Sequence, residues 1–179
     1  YLPRAVKDGK HDLEAREKMH NAATIAGMAF ANAFLGMTHS LAHKCGAEFH
    51  TVHGLACSIL LPYSIRYNGE VPTKLSVWPK YNHYCADKKY EDIAKLLGLK
   101  YKDTADAVNA LADACVNLSK DIGLATSFEE TGVSEEEFNS KIEEIAYLAY
   151  EDQCSPCNPR VPLVEDMKVI LKKAYKGEK

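Results

Sequence analysis

No stretch of this 179-residue sequence stays apolar for the roughly 20 residues that a membrane-spanning helix needs, and no secretory leader opens it. The longest apolar run, Ala22 to Met37, is interrupted by Thr24 and Asn32 and reads as a buried helix. A basic excess is missing too. Lys and Arg total 22 against 25 Asp and Glu, a net charge of −3, which gives no electrostatic footing for nucleic acid or an anionic membrane. No glycine-rich phosphate loop occurs, so the chain carries no nucleotide-binding fingerprint. Alternating strand patterns are scarce, and nothing reads as a strand–helix–strand unit. There is no internal repeat. The chain does not open on Met but on Tyr1-Leu-Pro-Arg, which suggests the C-terminal piece of a longer protein.

What is present is helical pattern. Asp12 is placed to cap a helix carrying Leu13, Met19, Ala22, Ala26 and Phe30 at three- and four-residue spacing. Its second half is rich in Ala and Gly, which predicts a central helix buried on most sides. Gly36 is expected to end or kink it, Thr38 to cap the next helix, and Gly46 to His53 to form a loop. A further helix is expected from His53-Gly54, kinked at Pro62 and stopped at Asn68-Gly69. Glu70 to Asn82, with Trp78 and Pro79, reads as an irregular excursion. Helices over about 80–98, 103–122, from Ser134 onward and about 162–175 complete the pattern. The expected fold is an all-α bundle, one helical domain over residues 1–179. Six dispersed cysteines, three in apolar helical contexts, fit free thiols in a reducing cytoplasm better than a disulfide framework.

Four of the seven histidines, His39, His43, His50 and His53, fall within fifteen residues. Imidazole is the commonest metal ligand and the commonest acid–base group near neutral pH. His39 and His43 are four apart, so on a helix both rings leave one face. Such a pair either shares a metal or packs as two hydrogen-bonded rings. His53, across a corner, is positioned to fold back toward His39. No carboxylate stands out nearby; Glu48 is the one local candidate, and it is expected to face solvent. Cys154-Ser-Pro-Cys157 has CxxC spacing, but no second pair stands at ligand distance in the sequence, so a zinc or redox role is not expected.

The run His39-Ser-Leu-Ala-His43-Lys-Cys-Gly46 with His53-Gly54-Leu-Ala-Cys-Ser-Ile-Leu-Leu-Pro62 resembles the signature of iron-containing (group III) alcohol dehydrogenases. The helix ending at Gly36, and Cys154 followed by Asn158-Pro-Arg160, agree with it. Tyr1-Leu-Pro, Glu48-Phe-His-Thr-Val-His-Gly, Ile65-Arg-Tyr-Asn68 and Asp152-Gln-Cys154 resemble the alcohol dehydrogenase module of bifunctional aldehyde–alcohol dehydrogenases. The resemblance implies the helical, substrate-side half of an NAD-dependent enzyme that interconverts a short-chain aldehyde (acetaldehyde) and a primary alcohol (ethanol). It implies Fe2+, with Zn2+ as a substitute, held by one Asp and three His. Of these, His39 and His53 match the last two, and the others lie upstream. His43 matches a catalytic position near nicotinamide and substrate, Phe30 a position lining the nicotinamide side, and Cys154 one near the substrate pocket. His50 is a feature of the bifunctional subgroup, expected to be structural or at the cleft edge. The implied partners are the missing nucleotide-binding half and further copies in an oligomer or filament. On this reading the chain alone is inactive. The competing readings are a non-catalytic metal-binding module and an assembly module.

Overall fold

The computed structural model describes residues 1–73 and 83–178. Among these, eight α-helices and no strand occur: α1 (Leu2–Asp8), α2 (Leu13–Ala33), α3 (Met37–Glu48), α4 (His53–Gly69), α5 (Ala86–Leu96), α6 (Thr104–Asp121), α7 (Glu135–Tyr150) and α8 (Val164–Lys176). The all-α expectation holds. Most of the expected excursion, including Trp78 and Pro79, lies outside the described residues.

Local chemistry explains several helix ends. Asp12 accepts the Ala15 N–H at 3.0 Å, Asp103 that of Asp106 at 2.9 Å, and Ser134 that of Glu137 at 3.2 Å. Each satisfies a donor that the first helical turn leaves without a partner. After α5, α6 and α8 the chain passes through Gly98, Gly123 and Gly177 at φ +69, +75 and +74, a region closed to most side chains.

The core centres on α4, not on α2. Ala56, Ile59, Leu60 and Tyr63 join Met37, Leu41 and Cys45 of α3, Phe138, Ile142 and Ile145 of α7, and Met167, Ile170 and Leu171 of α8. One turn further along, α4 places Ile65 against Ala94 of α5 and Ala107, Val108 and Leu111 of α6. One helix therefore serves two apolar clusters, and its C-terminal end packs so closely that a Cβ at Gly69 would sit 2.4 Å from Val108 Cγ1. In α2, by contrast, Ala15 alone is buried, and Ile25, Met28 and Phe30 are 66%, 64% and 49% exposed. α2 packs mainly on α1, where Arg4 reaches Asp12 at 2.8 Å and Glu14 at 2.7 Å. Small side chains made α2 suitable for close packing, but the described residues do not bring a layer over it.

Two boundaries also differ from expectation. The break after α2 falls at Phe34, whose φ of 60 turns the chain, and Gly36 is the residue before α3, which starts ahead of Thr38. α3 then runs through Gly46 to Glu48 because Cys45 and Phe49 are both drawn into the core, leaving a shorter connection over residues 49–52.

Candidate metal centre

The α3–α4 corner assembles the site. Phe49 anchors it, its ring 5.9 Å from Phe128 and 6.0 Å from Phe138. His50 takes a left-handed backbone (φ 52) that reverses the chain. The Thr51 carbonyl returns so close to α3 that a Cβ at Gly46 would stand 3.2 Å from it. The chain then enters α4 with His53 as its first residue.

The reversal brings three imidazoles together. Ring centroids are 6.1 Å apart for His39–His43, 5.4 Å for His39–His53 and 5.4 Å for His43–His53. The predicted return of His53 toward His39 is thus present in the structure. Among the described residues His50 stays outside this ring cluster, exposed on the corner. Burial lowers the pKa of His39, and the neighbouring His53 and His43 lower it further, so its neutral, ligand-competent form is favoured.

Two further groups join from elsewhere. Cys57, one turn along α4, places Sγ 3.5 Å from His53 Nε2. Asp152, in the turn after α7, lies 3.3 Å from His43 Nδ1 and 3.1 Å from Lys44 Nζ, and accepts the Cys154 N–H at 3.0 Å. Burial pushes the Asp152 carboxyl up. The Cys154 N–H, Lys44, the Cys154 thiol and His43 outweigh that and hold it at about 2. It is therefore ionised at neutral pH and fixes one nitrogen of His43. The sequence did not single out this carboxylate as a partner of the cluster; Glu48, the local candidate expected to face solvent, pairs with Lys141 of α7 at 3.1 Å.

An open cleft of about 600 Å³ runs past His39, with Phe34, Gly36, Cys57, Leu61 and Asn158 among its walls. Phe30 sits one turn before Phe34 on α2, half exposed, and is not a wall of this cleft. Cys154 is buried beside Asp152, its thiol pushed up to about 11 by burial first and by the carboxylate second. Asn158 is the structural key. Its Oδ1 accepts the Met37 N–H at 3.1 Å, and its amide exchanges hydrogen bonds with Asn68 at 2.6 and 3.2 Å. That carboxamide pins the start of α3 to the end of α4, and Gly36 lets it approach, since a Cβ there would lie 2.7 Å from Oδ1.

The donor set consists of imidazole nitrogens and a thiol, with a carboxylate beside them. It fits a borderline divalent cation such as Fe2+ or Zn2+ and not a hard cation that needs oxygen throughout.

Comparison with known proteins agrees with this chemistry. The family model described as "Fe-containing alcohol dehydrogenase family, C-terminal" matches residues 1–175. The chain is 57% identical over 170 residues to aldehyde-alcohol dehydrogenase 2 of Entamoeba histolytica, covering 95% of this chain and 20% of that protein. It is 42% identical over 180 residues to the bifunctional aldehyde-alcohol dehydrogenase AdhE of Escherichia coli K12, covering 99% and 20%. A crystal structure of 1,3-propanediol oxidoreductase superposes with a TM-score of 0.82 at 33% identity, covering 97% of this chain and 41% of that one. The chain thus spans about one-fifth of the length of these curated relatives.

Proposed function

The chain belongs to the Fe-containing alcohol dehydrogenase family, as its C-terminal region, and from that premise we propose that it forms the metal-binding, substrate-side half of an NAD-dependent alcohol dehydrogenase. Its substrates are a short-chain aldehyde and the matching primary alcohol, with acetaldehyde and ethanol as the representative pair. The observation that carries this reading is the meeting of three imidazoles from two helices, 5.4–6.1 Å between ring centroids, at the edge of an open cleft.

His39 and His53 would hold the cation, together with an Asp and a His from the nucleotide-binding half. When bound, the cation would supply Lewis acidity at the substrate oxygen and the nicotinamide cofactor would supply the hydride chemistry. His43 handles the proton. Asp152 at its Nδ1 fixes the ring orientation and leaves Nε2 free to exchange a proton with the substrate hydroxyl or with water. Cys154, packed against Asp152, holds the carboxylate in place from behind. Phe30 supports the nicotinamide side, and the apolar side chains of α2 are buried against the nucleotide-binding half or a second copy. Among the described residues no helix is long and apolar enough to cross a membrane.

The test has two parts. The chain binds Fe2+ or Zn2+, and His39→Ala or His53→Ala removes that binding. Aldehyde reduction with NADH appears only when the nucleotide-binding half is supplied, and His43→Ala then lowers kcat while metal stays bound. Retention of metal by both ligand variants, or strong aldehyde reduction by the 179-residue chain alone, would refute the proposal.

A further inference from the structure

Cys57 has no task in the reading above, yet it stands among the donors. It lies four residues past His53 on α4, so the two side chains leave the same helix face. One nitrogen each from His39 and His53 and the Cys57 sulfur all lie within 4.8 Å of one another. The separation of Cys57 Sγ and His53 Nε2 is 3.5 Å. Zinc bonds of about 2.0–2.1 Å to imidazole and about 2.3 Å to thiolate, at a tetrahedral angle, set an N···S edge of about 3.6 Å. The helix presents these two donors at that spacing before any cation arrives, and His39 comes from α3 to form the third corner.

We infer that His39, His53 and Cys57 form a three-donor site for a thiophilic divalent cation, Zn2+ foremost, supplied wholly by this chain. The inference rests on the reading of His39 and His53 as metal ligands and adds a sulfur to them. On binding, the Cys57 S–H bond breaks, its proton passes to bulk water, and the sulfur electron pair forms the bond to zinc. No oxidation state changes. A thiolate favours Zn2+, Co2+ and Cd2+ over harder cations. Cys57 therefore tilts the preference of the donors on this chain toward zinc, and the remaining position lies on the side of the cleft that Cys57 and His39 line, where the nucleotide-binding half would add its ligands.

Cobalt reports the sulfur directly. The chain titrated with Co2+ is expected to show the visible bands of a tetrahedral site together with a near-ultraviolet sulfur-to-cobalt charge-transfer band. Cys57→Ser and Cys57→Ala lose the charge-transfer band. Their Zn2+ affinity, measured by competition with a chelating dye, falls by at least about 100-fold, since losing even an outer-shell partner of a metal costs 10–100-fold. Cys157→Ser, which alters an exposed thiol on the same cleft, keeps both. Matching far-UV circular dichroism and melting of the metal-free variants exclude a folding defect. Cobalt bound through His39 and His53 without the charge-transfer band would overturn the role of Cys57 and leave the two-histidine reading standing. A band that survives Cys57→Ser, or that vanishes in Cys157→Ser, would overturn it as well. A chain that takes up no cobalt at all would sink both readings.

Discussion

Replacing Asp152 by Asn removes the charge that ties α3 to the turn after α7 while keeping the side-chain shape. The carboxylate, 9% exposed, faces Lys44 at 3.1 Å and His43 at 3.3 Å. Its pKa in the folded chain is about 2, against an ordinary 3.8. A difference of about 1.8 units, at roughly 1.4 kcal/mol per unit, ties about 2.5 kcal/mol of stability to the ionised form. The sign follows from the direction of the shift. Because the folded value is depressed, the stabilisation is complete above the unfolded value near pH 4. It fades as the pH falls and is lost below about pH 2. Urea unfolding of the wild type and Asp152→Asn across that range is the assay. The variant is expected to be about 2 kcal/mol less stable at pH 6, with the gap closing as pH 2 is approached. A gap that keeps its size at every pH would mean that Asn disturbs packing and that the charge contributes nothing. No gap at pH 6 would refute the ion-pair account outright.

Two further substitutions test the frame that carries the site. Asn158→Ala leaves the Met37 N–H and the Asn68 amide without their buried acceptor, and is expected to cost about 2–4 kcal/mol by the same unfolding assay. Gly69→Ala gains helix propensity but drives a Cβ against Val108, which is β-branched and cannot swing away. Calorimetry is therefore expected to show a net loss of about 1–3 kcal/mol.

Features decided by neighbours in sequence were legible before the structure. Asp12 and Ser134 cap the helices they were expected to cap, because capping acts over a few residues. The meeting of His39 with His53 was legible because one corner joins them. The fate of α2 was not. Alanine and glycine report that a surface tolerates close approach, and they say nothing about which segment approaches. Asp152 and Asn158 escaped for the opposite reason, since their partners His43 and Met37 lie 109 and 121 residues away. The one available signal was the tract from Asp152-Gln-Cys154 to Asn158-Pro-Arg160, which entered as part of a resemblance and carried no geometry.

Those two long separations also bear on the order in which the centre is built. The segment bearing His39, His43 and His53 leaves the ribosome well before the segment bearing Asp152 and Asn158. Until the later segment arrives, α3 has neither its N-terminal acceptor nor its tie to the turn after α7, and closing so large a loop is slow. During synthesis the α3–α4 corner that joins the three imidazoles therefore exists as chain before the two long-range contacts that hold α3 in place.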